Sequence, residues 1–521
     1  MFLDPSLQKK GRSFVYFTPF MDKDELASFR KAFVPNNLIA TTTPETVRSD
    51  GFYLIRQKEV SYLDELALRQ YTKLSVEPDT LHEWSKSLLE KKYNREAMQL
   101  QKRFPHVRKQ HSGFWKSYME LIEGNKAALF EETLSYLNEF QSDTEIYDQL
   151  IEILIGKNHE QIHWADSSMW EKTKEKLPRT TAAGRFYYWL HRYYKHAGKE
   201  SQAKQLEETF YELAPGSYYA RAFWDRFSEG DYVRDFSYIR DRQTYLRFIA
   251  RHGGNEKAVR FLSSRISQPL LDPKGIEVYR KFSLNRLNVP QEILDLYYLG
   301  ELTLASEFYK DEYQGKISRM EHYARMAFIG KETGNLNLSV YFLRNLLREN
   351  RIPEDPFSLP SEALRDLYPR PYRSSVKKWS ATYNIEEEMV YGLMRQESLY
   401  RELAISRSGA QGLMQIMPKT GDWLAKGMKL GNVDVMEPDM NIRMGTKFFS
   451  DLIRSNEGDF RWASIAYNAG PVNLREWKRQ FYRSDFNLFL ENIPIAEPRN
   501  YCRVTYQNYM HYKVSSLLYR H

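Results

Sequence analysis

The residue with the clearest capacity for chemistry is Glu397. It closes a run in which Ile385, Met389, Leu393 and Glu397 recur every four residues. In a helix that spacing sets one carboxylate on the same stripe as three apolar side chains. A carboxyl group that loses hydration has its pKa raised toward the range of a general acid, so the expected chemistry is proton transfer. Glu386, Glu387 and Glu388 read instead as solvated residues of the first turn, where negative charge suits the helix dipole. Asn384 is the expected N-cap. The helix pattern alone leaves a second reading open, in which Glu397 sits at a helix end and snorkels to water.

Glu397 and Ser398 lead into a stretch without helical period, which also holds Glu402. From Ser406 to Pro418, two close glycines (Gly409 and Gly412), alternating side chains and a terminating proline predict a tight turn followed by a short extended segment. Gln415 in that segment offers both a donor and an acceptor, a pair suited to an acetamido or hydroxyl group of a sugar. Further on, Trp462 to Pro471 reads as one helix ending at Gly470 and another beginning at Pro471, with Tyr467 and Asn468 at the corner. Glu491, Glu497, Arg499 and Tyr501 add two carboxylates, an arginine and a phenol before a last aromatic helix.

The elements that must hold these groups are mainly α-helical. From about Leu81 to Asn350 apolar residues recur at three and four residue intervals, as in Phe114, Tyr118, Leu121 and in Tyr147, Leu150, Ile153, Leu154. One arrangement returns: an aromatic helix end, a glycine, a polar turn and a small residue opening the next helix. It occurs at Tyr193 to Gly198 with Ala203, at Arg251 to Gly254 with Ala258, at Tyr297 to Gly300 with Ala305, and from Gly334 to Leu338. Such hairpins stack into an α-solenoid, here of unequal spacing and only similar to tetratricopeptide repeats; ordinary helical bundle packing is the alternative.

Pro353, Pro356 and Pro360, then Pro369 and Pro371, push the residues before them out of helix and mark a domain junction. The expected organisation is an N-terminal segment over residues 1–80 that belongs to the helical region, an α-superhelical domain over 81–355, and a catalytic domain over 356–521.

Composition bounds the possibilities. The 521 residues are 42% hydrophobic, 15% aromatic and 28% charged, with mean hydropathy −0.65, which excludes an integral membrane protein and a disordered chain. A net charge of +8 spread over so large a surface reads as a mixed solvated exterior, and no nucleic-acid partner is expected. Cys502 is the single cysteine, so there is neither an intrachain disulfide nor a zinc site built on paired thiolates. No apolar stretch approaches the ~18 residues of a transmembrane anchor, and stable membrane insertion is not expected. Asp4, Pro5, Lys9 and Lys10 stand where a secretory signal needs an apolar run, so no export signal is read there and the chain is either cytoplasmic or a processed form.

Taken in order, Glu397-Ser398, the Gly-Leu-Met-Gln run ending at Gln415 and the Ala-Tyr-Asn-Ala-Gly run ending at Gly470 resemble the signature of the soluble lytic transglycosylases, glycoside hydrolase family 23. Tyr383 to Ile385 and Arg395-Gln396 extend the likeness, which covers roughly the last 150 of the 521 residues. The resemblance implies a goose-type, lysozyme-like α+β catalytic domain behind an α-superhelical N-terminal region. It implies that Glu397 is the sole catalytic acid and base, and that Ser406, Gln415, Met417, Tyr467 and Asn468 line a saccharide cleft. Glu497, Arg499 and Tyr501 resemble the family's last motif, Glu-Thr-Arg-x-Tyr, with Pro498 in place of the threonine; a structural ion pair between Glu497 and Arg499 is the alternative for that segment.

Ordinary glycosidases use two carboxylates, and only Glu397 has a catalytic setting in this sequence. The family's chemistry, cleavage of peptidoglycan strands between N-acetylmuramic acid and N-acetylglucosamine with formation of 1,6-anhydro-N-acetylmuramic acid, needs only one, because the sugar's own 6-hydroxyl is the acceptor. No metal or organic cofactor is implied, the substrate places the protein in the periplasm or cell envelope, and the helical region is a candidate surface for envelope protein partners. A muramidase using water, or a glycan-gripping envelope scaffold, are the competing readings.

Overall fold

The computed structural model describes residues 78–108, 111–137, 144–156, 162–177, 183–213, 217–219, 289–350, 352, 359, 361–431 and 433–519. The chain divides into two compact units, 1–140 and 141–521. In the first, α1 (Pro78–Glu90), α2 (Asn94–Arg103), α3 (Pro105–Arg108), α4 (Ser112–Ile122) and α5 (Lys126–Leu137) follow one another. Leu81, Trp84, Leu88, Leu100, Phe104 and Phe114 form a core shared by α1 to α4. Gln101 is buried among them, and its Nε2 donates to Ser85 Oγ at 3.1 Å and to the Phe114 carbonyl at 2.8 Å, so its donor group is satisfied inside the core.

The second unit opens with α6 (Thr144–Ile155), α7 (Ser167–Lys176), α8 (Gly184–His196) and α9 (Glu200–Leu213). Helix α8 is buried nearly all round: Phe186, Tyr187, Tyr188, Trp189, Leu190, Tyr193 and Tyr194 are all buried, the pattern of a helix with neighbours on every side. Then come α10 (Gln291–Leu299), α11 (Leu302–Tyr313), α12 (Arg319–Glu332) and α13 (Leu336–Glu349). Three of the four recurring turns fall where the sequence places them. Gly198 separates α8 from α9, Gly300 ends α10, and Gly334 lies between α12 and α13; Ala203 and Ala305 are fully buried. The turn from Arg251 to Gly254 with Ala258 lies outside the described residues, as do residues 1–77 and Pro353, Pro356 and Pro360. No helix among the described residues is long and apolar enough to cross a membrane.

The remainder is α14 (Ser361–Leu367), α15 (Arg373–Tyr383), α16 (Glu387–Glu397), α17 (Pro418–Gly427), α18 (Pro438–Ser455), α19 (Phe460–Ala469), α20 (Pro471–Phe481), α21 (Phe486–Asn492) and α22 (Ala496–Tyr519). Helix α16 begins two residues later than the sequence suggests. Its N-cap is Glu386, while Asn384 adopts φ 53° and closes α15, because asparagine tolerates the left-handed conformation that a helix end uses. Along α16, Val390, Leu393 and Met394 are fully buried. A Cβ on Gly392 would meet the Tyr509 backbone nitrogen at 2.9 Å, so α16 and α22 touch backbone to backbone at that point. Among the described residues the β component consists of two isolated antiparallel bridges, Ile405 with Gln411 and Gln411 with Ile416.

Candidate active site

Glu397 is the last residue of α16. Ser398 follows as a buried cap whose Oγ donates to the Leu413 carbonyl at 2.8 Å, which ties the helix end to the loop beyond. The Glu397 carboxyl accepts a hydrogen bond from the Tyr501 hydroxyl, carried on α22. Burial raises the Glu397 pKa to about 7; the Tyr501 hydrogen bond works against burial, and the nearby Glu497 charge adds to it. Of the expected stripe, Leu393 is fully buried and Met389 half-buried, while Ile385 lies before α16 begins; the Glu397 carboxyl is half-buried and so partly withdrawn from water.

The loop between Tyr400 and Pro418 is fastened at several points. Ser406 Oγ accepts from the Ala410 backbone N–H at 2.9 Å, and the Ser406 N–H donates to the Ala410 carbonyl, also at 2.9 Å. Gln411 and Ile416 exchange backbone bonds at 3.0 and 2.9 Å, and the reversal between them brings Gln415 to φ 50°. The Gln415 Nε2 is spent on the Gly412 carbonyl at 2.8 Å and the Ala404 carbonyl at 3.1 Å. That leaves its Oε1 as the acceptor this side chain can offer. Met417 is 41% exposed and caps α17.

Asn441, on α18 and fully buried, holds this loop from beneath. Its Oδ1 accepts from the Met414 N–H at 2.7 Å, and its Nδ2 donates to the carbonyls of Gln411 (2.9 Å) and Val435 (2.8 Å). A Cβ on Gly412 would lie 2.3 Å from that Nδ2, which explains the glycine there. Sequence reasoning missed Asn441. Its one signal is a polar residue on the helix stripe that also carries Met444 and Gly445, three and four residues on, a pattern that many solvated positions share.

Tyr467 and Asn468 sit at the end of α19, before Gly470. The Tyr467 hydroxyl donates to the Met414 carbonyl at 2.8 Å, and burial together with the Glu397 charge raises its pKa well above the usual phenol value. Tyr467 thus faces Glu397 as a neutral hydroxyl. Its ring lies 5.3 Å from Phe448, and Phe448 lies 6.4 Å from Trp423, so aromatic contacts run from beside the acid out to a Trp423 that is 60% exposed. The Asn468 Nδ2 donates to Glu497 Oε1 at 3.1 Å. Arg499 turns the other way, donating to the Ile493 carbonyl at 2.6 Å and to Asp148 at 3.4 Å. Glu497 is thus on the site side of the segment and Arg499 on the helical-region side, in place of an ion pair between the two.

Hydrogen bonds join Glu397 to Tyr501 and Asn468 to Glu497, and Glu497 and Tyr467 both lie close enough to Glu397 to interact with it electrostatically. Ser406 and Gln415 belong to the loop that Ser398 and Tyr467 bind to them through Leu413 and Met414, while Met417 stands at the loop's outer end. Together they can present one protonated carboxyl, two phenols and a set of amide and carbonyl groups, a combination able to give and take back a single proton beside a polar, hydroxyl-rich ligand.

Residues 374–490 match the sequence profile of the family described as Transglycosylase SLT domain. The chain is 32% identical over 145 residues to a soluble lytic murein transglycosylase of Salmonella typhimurium, covering 27% of this chain and 22% of that protein. It is 30% identical over 156 residues to the Escherichia coli K12 protein of the same description, covering 29% and 24%. The aligned segment thus spans about a quarter of the length of these relatives. Among solved structures, an inactive mutant of the lytic transglycosylase Slt from Pseudomonas aeruginosa aligns over 97% of this chain and 86% of its own, at TM-score 0.40 and 16% identity. Glu397, the loop with Gln415, and Tyr467 with Asn468 all fall inside the segment, residues 374–490, that is similar to the transglycosylase SLT domain.

Proposed function

We propose that this chain is a peptidoglycan lytic transglycosylase that cleaves the β-1,4 bond between N-acetylmuramic acid and N-acetylglucosamine, working in the periplasm or cell envelope on glycan strands. The observation that carries this reading is the half-buried carboxyl of Glu397, with its pKa raised to about 7 and its Oε1 held by Tyr501. A group poised there is protonated in a useful fraction at neutral pH and ionises readily once its proton is used. Glu497 is exposed and occupied by Asn468. Glu491 accepts hydrogen bonds from Arg185, Trp189 and Arg503 away from the site. Neither has the environment of a second acid or of a nucleophile.

In the proposed reaction Glu397 gives its proton to the glycosidic oxygen, and the C1–O4 bond breaks as the N-acetylglucosamine part leaves with that proton. The muramoyl acetamido oxygen stabilises the positive charge at C1. The Glu397 carboxylate then takes the proton of the muramoyl 6-hydroxyl as that oxygen bonds to C1, which restores the acid and closes the 1,6-anhydro ring. Tyr501 steadies the carboxylate through the interval in which it is charged. Ser406, Gln415, Met417, Tyr467 and Asn468 line the cleft in this reading, with Glu497 at its edge. Residues 356–521 are the catalytic domain, residues 81–355 the helical domain that handles the strand and any envelope partner, and residues 1–80 the lead-in to it.

The test is release of soluble muropeptides from purified sacculi by the full chain and by Glu397→Gln. Loss of at least about 10²-fold in rate is expected from the substitution, since the amide keeps the shape and lacks the proton. A folded Glu397→Gln protein with near wild-type release contradicts the assignment.

A further inference from the structure

Helix α22 is gripped on one side and catalytic on the other. Arg499 and Arg503 are four residues apart, and Tyr501 lies between them; at about 100° per residue, Tyr501 projects roughly 200° away from each arginine. The arginine side meets a buried cluster of charges made of Asp148 and Arg185 from the helical region and Glu491 from α21. Arg503 donates to Glu491 at 2.9 Å and reaches Asp148 at 3.5 Å, with its Nε on the Tyr219 hydroxyl at 3.1 Å. Arg499 reaches the same Asp148. Arg185 of α8 joins the cluster: its Nε donates to Glu491 Oε1 at 2.9 Å, and two further contacts join its guanidinium to Glu491 and Asp148. The side chains of Arg185 and Glu491 are 7% and 4% exposed.

Burial alone would raise the pKa of these carboxyls, yet the facing guanidinium groups outweigh it. Glu491 falls to about 2, and Asp148 is also held below its usual value. Both are therefore charged throughout the working range, with two anions matched by three arginines. Around this cluster, Arg192 bonds Asp485 at 2.6 Å, while Tyr188 and Tyr218 hold Asn487, both at 2.9 Å. The contacts fix α21 and the start of α22 against α8. A bidentate, desolvated guanidinium tolerates little displacement, which makes it a precise clamp.

We propose that Arg185, acting with Asp148, is a positioning residue for the reaction: by holding Glu491, Arg499 and Arg503 it sets the first turns of α22 so that the Tyr501 hydroxyl meets the Glu397 carboxyl. The groups that face Glu397 are Tyr501 on α22, Glu497 at the start of α22 and Tyr467 on α19. Two of the three therefore ride on the helix that Arg185 clamps. The helical region thereby takes part in the chemistry without touching substrate. The catalytic consequence rests on the function proposed above; the geometric one does not.

Two measurements on the full chain separate these. The first is the gap in melting temperature between the protein with and without Glu397→Gln, followed from pH 5 to pH 9; its midpoint reports the ionisation of Glu397 independently of any activity. The second is kcat, KM and the pH–rate profile on glycan strands. For Arg185→Ala the midpoint of the gap is expected to move to higher pH, because ionised Glu397 loses its donor. The expected change in kcat is a fall of about 10-fold or more with KM within about 3-fold, the signature of a lost transition-state interaction. Arg185→Lys, which keeps the charge and loses the fork, should show the same changes to a smaller degree, and it decides the matter if Arg185→Ala does not fold. A lowered melting temperature with an unmoved midpoint and an unchanged pH profile shows Arg185 to be structural only and overturns the proposal. Wild-type protein that releases no product fails the functional reading alone, and the melting experiment still judges the clamp.

Discussion

The Tyr501 hydroxyl donates to Glu397 Oε1 across 104 residues of sequence, and this one contact sets the character of the site. Burial pushes the carboxyl toward neutrality, and the phenol holds back part of that shift by favouring the ionised form, leaving a pKa of about 7. A carboxyl that must first give up a proton and then retrieve one is best placed near the working pH. Tyr501 is itself buried, and its own pKa is raised well above the usual phenol value by burial and by the Glu397 charge, so it stays a donor throughout.

Tyr501→Phe should raise the Glu397 pKa above about 7 and move the alkaline limb of the pH–rate profile to higher pH. Hydrogen bonds to charged groups contribute about 1.5–3 kcal/mol, so a loss of roughly 10 to 150-fold in rate is expected. Rates measured from pH 5 to pH 9 check both. A profile that moves to lower pH would mean that the phenol does not serve the carboxylate.

Stability should carry the same imprint with a definite sign. The folded pKa of Glu397 lies above its unfolded value of about 4.5, so the native state binds more protons between these pH values and loses stability as pH rises through the window. Glu397→Gln removes that cost. The variant should melt above the wild type at pH 8, with the two converging toward pH 4.5, as calorimetry can show; a gap that does not vary with pH contradicts the buried ionisation.

Gly392→Ala tests the seam between the two helices that bring acid and phenol together. The added Cβ would stand 2.9 Å from the Tyr509 nitrogen and 3.0 Å from its Cα, atoms of backbone that cannot rotate away. Overpacking of this kind costs about 1–3 kcal/mol, read as a lower urea midpoint. Because α16 ends on Glu397 and α22 carries Tyr501, activity should fall further than the loss of folded protein explains.

The sequence makes some of this legible and hides the rest for physical reasons. The placement of Glu397 could be read because Leu393 and Met389 stand four and eight residues before it on one helical stripe, although Ile385, the third residue of that spacing, lies before α16 begins. The corner at Gly470 and Pro471 could be read because each residue has few other uses at a helix boundary. Asn384 was misplaced because asparagine serves both as an N-cap and as a left-handed helix end, and here it closes α15. The clamp was out of reach. Arg185 and Glu491 are 306 residues apart, and nothing local distinguishes an arginine bound for a buried carboxylate from one bound for water. The sequence presents Gln415 as both donor and acceptor, whereas the loop uses its amide nitrogen for its own carbonyls, an economy that only the folded turn reveals.

The central claim, that one carboxyl does both proton transfers and the sugar supplies its own acceptor, is tested most directly by the mass of the products. A well-oriented intramolecular hydroxyl can have an effective molarity of about 10⁵–10⁸ M, which overwhelms the ~55 M of water. Digests of purified sacculi by the full chain should therefore yield muropeptides ending in 1,6-anhydro-N-acetylmuramic acid, each lighter by one water than the product of hydrolysis and absent when Glu397 is replaced by Gln. Reducing ends throughout would show a muramidase that uses water, and no soluble product would show a chain that grips glycan without cleaving it; either result contradicts the account.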